Sequence, residues 1–419
     1  MVSRIRCDGG VAMRLARFHA AWTAGVLGIV LLTGCSSAVP LVTSMPAIFA
    51  ESQKLRPAEP IAVADPGTGA GSVISAETMP NLPSAVQRGS EAARVVYRSI
   101  QSGDGGATEV SASVFVPDGD APEGGWPVIS FGHGTTGIEN ACGPSLSRDL
   151  LGSAALAAGF TSAGFAVAIT DYQGLGHEGV HHYLDNPTAG YNMIDAVRAL
   201  RHTFPDVSNR WVAFGGSQGG GAAWAANEQS GYAPELELLG SVSLAPAANM
   251  VGLVDKAIQG TLTDDQAPLM QWVIESLARR FPGFDRDQYR SGSAAEDWAA
   301  LSGCTPAQAS ARADAAERIG ARDFAPKTPD AESLLRYYLE QMAVPQQKAS
   351  APMLVVYGDA DTYIDAEWTD AALAKACSLG DVITIDRQPG KGHGDVDGGA
   401  VNDWIGERFA GTPAVDDCN

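Results

Sequence analysis

Trp211-Val212-Ala213-Phe214-Gly215-Gly216-Ser217-Gln218-Gly219-Gly220 is the stretch on which the reading of this chain turns. Trp211–Phe214 is a short continuous apolar run, the pattern of a strand buried on both faces. A G-x-S-x-G follows at once, and residues 220–228 then carry a helical pattern. Between a strand and a helix, such glycines let neighbouring chain pass close to a tight turn whose serine oxygen stands at the top of a sheet. The N–H groups at the start of the next helix point at the same spot. The simpler alternative, a glycine-rich turn whose serine only caps the helix, leaves the strand before it unexplained.

Working outward, Val128–Phe131, Phe165–Thr170 and Met353–Tyr357 repeat the buried-strand signature, and Val382–Ile385 is a shorter case. Residues 93–100 and 108–116 alternate and read as antiparallel opening strands. Helical patterns at 151–163, 189–203 and 220–228 separate these runs. Alternating β and α units predict a mainly parallel, doubly wound α/β sheet. Such sheets place ligands beyond the carboxyl ends of their strands.

A serine there needs a base and an acid to become a nucleophile. Of seven histidines, His393 alone lies downstream of Ser217, in the loop Gly390-Lys391-Gly392-His393-Gly394. The chain order Ser, Asp, His of α/β hydrolases requires that position. The acid should follow the penultimate strand, where Gly358-Asp359-Ala360-Asp361 stands; Asp361 is the candidate, with Asp359 and Asp365 as rivals. Donors for a developing oxyanion would be the backbone N–H of Gln218 and one from the loop Phe131-Gly132-His133-Gly134-Thr135-Thr136-Gly137. Thr135 is the first choice in that loop and Gly134 the second, with His133 read as a loop support.

Two other motifs point elsewhere. His177-Glu178-Gly179-Val180-His181 matches H-E-x-x-H, which binds zinc when a helix puts both imidazoles on one face. Here Gly174, Gly176, Gly179 and Pro187 argue against a helix. The overlapping Gly174-Leu175-Gly176-His177-Glu178-Gly179 matches the dinucleotide pattern G-x-G-x-x-G. That pattern must open a helix directly after the first strand of a βαβ unit, and the helical pattern here starts near Ala189. Neither a metal nor a cofactor is expected.

The chain's 419 residues carry 48 acids against 28 bases, a formal charge of −20. That balance excludes a basic footprint for nucleic acid and broad adhesion to anionic lipid. Residues 1–34 read as a signal segment: Arg14 and Arg17 precede an apolar run that ends Leu32-Thr33-Gly34-Cys35. The tetrad resembles the lipobox of bacterial lipoproteins, which makes Cys35 the expected lipidation site and the acyl chain the expected membrane anchor. Residues 35–75, rich in Ser, Pro, Ala and Gly, read as a tether and N-terminal arm. Without residues 1–34, which hold four Arg and one Asp, the formal charge moves from −20 to −23. Beyond Cys35 remain Cys142, Cys304, Cys377 and Cys418, which allow three pairings, and export favours their oxidation.

Asp171-Tyr172-Gln173-Gly174-Leu175-Gly176, His182-Tyr183-Leu184, Asp195-Ala196-Val197-Arg198-Ala199 and Gly215–Gly220 together resemble the secretory lipase family of the α/β-hydrolase fold. Gly71–Ser75 with Glu77–Met79, and Arg94–Ser99, resemble its N-terminal start, so the likeness covers roughly residues 65–410. It implies a carboxylic ester hydrolase (a triacylglycerol lipase or esterase) with Ser217 as nucleophile, Asp361 as acid and His393 as base, and an acyl ester as substrate. It also implies the disulfides Cys142–Cys304 and Cys377–Cys418. Finally, it implies a mostly helical lid, for which residues 249–349 supply helical patterns at 269–280, 306–319 and 332–342. Residues 76–248 and 350–419 would then be the two parts of the hydrolase core. A peptidase or acyltransferase would use the same triad. A non-catalytic binding lipoprotein on this fold is the reading from a different class, and the intact Ser, Asp and His count against it.

Overall fold

The apolar runs do lie side by side. In a computed structural model that describes residues 55–418, nine strands form one sheet. They are β1 (Val73–Thr78), β2 (Ser90–Ile100), β3 (Ala107–Pro117), β4 (Trp126–Gly132), β5 (Ala166–Thr170), β6 (Val207–Gly216), β7 (Glu237–Leu244), β8 (Met353–Gly358) and β9 (Ile383–Gln388). Their order is β1-β2-β3-β5-β4-β6-β7-β8-β9. β1, β2 and β3 pair antiparallel, β3 also meets β5 antiparallel, and every pair from β5 to β9 is parallel. This is an α/β-hydrolase sheet. The signal segment, Cys35 and residues 36–54 of the tether and arm fall outside the described residues, and the end of the segment read as an arm supplies the first residues of β1.

Among the described residues, the helices of eight residues or more are α1 (Ala154–Ser162), α2 (Asn186–Thr203), α3 (Gln218–Glu228), α4 (Gly252–Gln259), α5 (Gln266–Arg280), α6 (Ala309–Glu317), α7 (Pro329–Met342), α8 (Ala366–Leu379) and α9 (Val401–Phe409). Successive strand residues face opposite sides of the sheet, which explains why the central runs are apolar throughout. Val128, Trp211 and Ala213 pack with α2 and α3, while Ile129, Val212 and Phe214 pack with α1 and α9. Each such fully buried Val, Ile or Phe side chain contributes about 1.5–3 kcal/mol.

Between β7 and β8 the chain is helical and contains no described strand. Its apolar residues form their own cluster, which includes Met270, Trp272, Leu301 and Leu335. Ile138, Tyr183, Ala247 and Ile364 belong to the same cluster. These four come from loops at the carboxyl ends of the strands, so the helical segment rests on that edge of the sheet. One disulfide, Cys142–Cys304, joins the segment to the loop after β4, and the other, Cys377–Cys418, joins α8 to the C-terminal tail.

Candidate active site

Ser217 stands between β6 and α3 with φ 57° and ψ −120°, a left-handed backbone that costs a non-glycine residue of order 1–3 kcal/mol. The surroundings hold it there. Its N–H donates to Leu244 O at 2.8 Å, and its carbonyl accepts from the N–H groups of Gly220 and Ala247, both at 3.0 Å. A Cβ at Gly215 would overlap the Gly219 carbonyl, and one at Gly219 would overlap the Gly132 carbonyl. The G-x-S-x-G glycines are thus a packing requirement of strand against helix, and the turn they permit lifts the serine hydroxyl clear of the sheet.

Three side chains from three loops meet at this point. His393 Nε2 lies 2.9 Å from Ser217 Oγ, and His393 Nδ1 lies 2.7 Å from Asp361 Oδ2. The second carboxylate oxygen of Asp361 accepts from the N–H groups of Tyr363 at 2.8 Å and Ile364 at 3.0 Å. That side chain is only 2% exposed, so two backbone donors and one imidazole fix its plane. The Tyr363 ring packs on His393 with centroids 4.8 Å apart. The rival acids are occupied elsewhere: Asp359 accepts from Gly390 N–H at 2.6 Å, and Asp365 pairs with Lys256 at 2.8 Å.

The loop after β4 passes close above the serine. The position of a Cβ at Gly134 would lie 3.9 Å from Ser217 Cβ. His133 is buried and its Nδ1 is 2.6 Å from the Gly134 carbonyl, to which it donates. Burial pulls its pKa to about 4, so the ring is neutral and is a support of the loop. Across a trans peptide the N–H points opposite to the carbonyl, so the Thr135 N–H turns away from His133. The Thr135 hydroxyl meets the Tyr183 hydroxyl at 3.0 Å.

Gln218, the residue after the serine, is held from its side chain. Its amide Nε2 donates to His181 Nε2 at 3.1 Å, while His181 Nδ1 donates to Gln173 O at 2.9 Å. Burial holds the His181 pKa down at about 3, so Nε2 keeps the lone pair that Gln218 needs. Ser276 of α5 donates to His181 O at 2.6 Å and accepts from Tyr183 N–H at 2.9 Å. His181 and Tyr183 thus connect the helical segment to both residues expected to supply oxyanion donors. In the sequence His181 belonged to an apparent zinc motif, and nothing in the spacing pointed to Tyr183 or Tyr363 as neighbours of the site.

The two imidazoles of the H-E-x-x-H stretch turn to different partners: half-buried His177 to Glu109 at 3.2 Å, buried His181 to Gln218. Gly174 and Gly176 have φ of 77° and 70°, a left-handed pair that begins no helix. The loop is instead pinned by Asp171, which accepts from Ser111 Oγ at 2.5 Å and Ser145 N–H at 2.8 Å. Burial raises the Asp171 pKa to about 6, against those hydrogen bonds.

A parallel sheet with a serine at the turn after a central strand, a histidine and an aspartate in reach, and helices over its carboxyl edge define the α/β-hydrolase class. The secretory lipase family matches residues 153–417, and the chain belongs to that family. It is 25% identical over 359 residues to a "probable inactive lipase" of Mycobacterium tuberculosis, covering 78% of this chain and 75% of that one. Among solved structures it resembles lipase A of Candida antarctica in its closed state (TM-score 0.66, 17% identity, 83% of this chain and 84% of that chain). It also resembles the rice cell wall degrading esterase LipA from Xanthomonas oryzae (TM-score 0.62, 18% identity, 82% and 97%). At these identities the structural likeness speaks to the fold. Family and fold together support an ester-hydrolysing function. The family and the two disulfides suggest export, and no described helix is long and apolar enough to cross a membrane.

Proposed function

We propose that the protein is an exported serine hydrolase of carboxylic esters, with Ser217 as nucleophile, His393 as base and Asp361 as the acid that orients it. The observation that carries this reading is the chain of contacts Ser217 Oγ to His393 Nε2 at 2.9 Å and His393 Nδ1 to Asp361 Oδ2 at 2.7 Å, on a serine with positive φ. His393 takes the hydroxyl proton as Ser217 Oγ attacks the ester carbonyl, and Asp361 stabilises the imidazolium. The tetrahedral oxyanion is bound by the backbone N–H groups of Gln218 and Thr135. Collapse expels the alcohol, which takes the proton from His393. Water then attacks the acyl-enzyme with His393 again as base, releasing the acid and restoring Ser217.

The name of the mycobacterial relative raises the non-catalytic reading. The complete Ser217–His393–Asp361 relay favours catalysis, and purified protein tested on p-nitrophenyl esters from acetyl to long acyl chains decides between them. Turnover by wild type that disappears in Ser217→Ala supports the proposal; no turnover of any ester favours the binding protein. A preference for emulsified long-chain esters would make it a lipase, and one for short soluble esters an esterase. Cys35 is proposed as the site of diacylation, which predicts that Cys35→Ser moves the protein from the membrane fraction to the soluble fraction.

A further inference from the structure

Arg312 lies on α6 in the helical segment and is half-buried. Its guanidinium stacks on Trp272, Cζ 4.2 Å from the ring centroid, and its Nε–H donates to Leu301 O at 3.2 Å. Other arginines of the segment that are shielded from solvent have carboxylates: Arg279 has Glu139 and Glu275, Arg290 has Asp287 and Arg336 has Asp255, while the exposed Arg322 has no ion pair among the described residues. Arg312 has none among the described residues. Burial pulls its pKa down, and the groups that oppose this are two tyrosines, Tyr183 and Tyr363. In a chain with 48 acids and 28 bases, a half-buried guanidinium with no carboxylate partner among the described residues is a departure that calls for one.

Those two tyrosines flank the site. Tyr183 meets Thr135 through its hydroxyl and packs edge-on against Trp272 with centroids 5.9 Å apart. Tyr363 packs on His393. Leu301, which accepts from Arg312, is three residues before Cys304, whose disulfide reaches Cys142 in the loop after β4. Arg312 is therefore joined to the Thr135 side of the site through Trp272 and Tyr183. With the guanidinium stacked on Trp272 and Nε used, the two terminal nitrogens still carry four N–H donors, in a planar fork that matches a carboxylate.

We propose that Arg312 is the anion-recognising residue of this site, and that the preferred substrates are esters bearing a second, anionic group, of the type of a monoester of a dicarboxylic acid. The proposal rests on the reading of Ser217 as an ester-cleaving nucleophile. Net negative charge repels anions at a distance, so selection of an acidic ester falls to a local cation of this kind.

The test compares p-nitrophenyl hexanoate with mono-p-nitrophenyl adipate, two six-carbon acyl groups that differ in the terminal carboxylate. Wild type should favour the acidic ester. In Arg312→Met, which keeps an apolar stem on Trp272, the acidic-to-neutral ratio of kcat/KM should fall about 10- to 100-fold, with most of the loss in KM. Arg312→Lys should retain part of the ratio. A ratio that is the same in wild type and Arg312→Met overturns the proposal. A glycerophospholipid as third substrate separates the sources of charge: Arg312 dependence on it, and none on the adipate, overturns the carboxylate assignment in favour of phosphate. Calorimetric titration of adipate into Ser217→Ala, with and without Arg312→Lys, reads the site without turnover. Adipate bound in an Arg312-dependent way by a protein whose wild type cleaves no ester refutes the hydrolase reading and keeps the anion site. Ester cleavage with an unmoved ratio refutes the anion site alone.

Discussion

A serine with φ 57° is held in place by hydrogen bonds to Leu244, Gly220 and Ala247, and at the residue scale that cost is the feature from which the proposed chemistry grows. Asp361 contributes by geometry: two backbone donors hold its Oδ1 and so aim Oδ2 at His393 Nδ1. Asp361→Asn presents an amide nitrogen or a weaker acceptor there and favours the wrong imidazole tautomer. It should lower kcat about 100- to 10,000-fold with little change in KM, as steady-state kinetics would show; an unchanged kcat would remove Asp361 from the relay. The positions of Ser217, Asp361 and His393 were legible because chain order and strand ends constrain them. Their supports were not. His181 reads as a metal ligand in sequence, and only the fold shows that its Nε2 faces the Gln218 amide while Nδ1 is bound to Gln173.

Elements with strong periodic signals emerged close to where the sequence puts them, as in β4, β5, β8, α2 and α7. β7 escaped notice because Glu237–Leu244 holds Gly240, Ser241 and Ser243 in place of a continuous apolar run. The fold gives each a reason. A Cβ at Gly240 would press on the Trp404 ring, Ser241 Oγ accepts from Asn227 Nδ2 at 2.9 Å, and Ser243 Oγ donates to Gly220 O at 2.9 Å. Satisfied polar side chains let a buried strand look hydrophilic. The disulfides act at this scale too. Cys142–Cys304 links the helical segment to the loop of Thr135, whereas Cys377–Cys418 lies at α8 and the tail, so their removal should differ in kind. Replacing both cysteines of the first bridge by serine should cost about 2–5 kcal/mol of stability and also lower kcat/KM. The same change in the second should cost stability with kcat/KM retained. Equal losses of activity would contradict this placement.

Over the whole molecule, stability and pH are linked through groups far from the serine. Glu228, at the end of α3, accepts from the N–H groups of Gln346 and Gln347 through one carboxylate oxygen, while the other is buried without a hydrogen-bond partner among the described residues. Burial outweighs these bonds and raises its pKa from 4.5 to about 7. The folded state then holds a proton that the unfolded chain has released, so the stability Glu228 contributes falls as pH rises from about 4.5 through about 7. Glu228→Gln, which resembles the protonated form, should melt like wild type at pH 5. At pH 8 it should exceed wild type by about 1–3 kcal/mol. Denaturant titration at both pH values tests this, and a difference that is absent or reversed at pH 8 contradicts it.

The proposed chemistry requires that Ser217 become acylated during ester cleavage. Reacting wild type with a fluorophosphonate and mapping the adduct by mass spectrometry tests it most directly. One label per chain is expected on the peptide carrying Ser217, with ester hydrolysis lost in proportion to labelling, and neither label nor hydrolysis in Ser217→Ala. Ester hydrolysis that persists in Ser217→Ala, or a label on another residue that tracks the loss of activity, would contradict it.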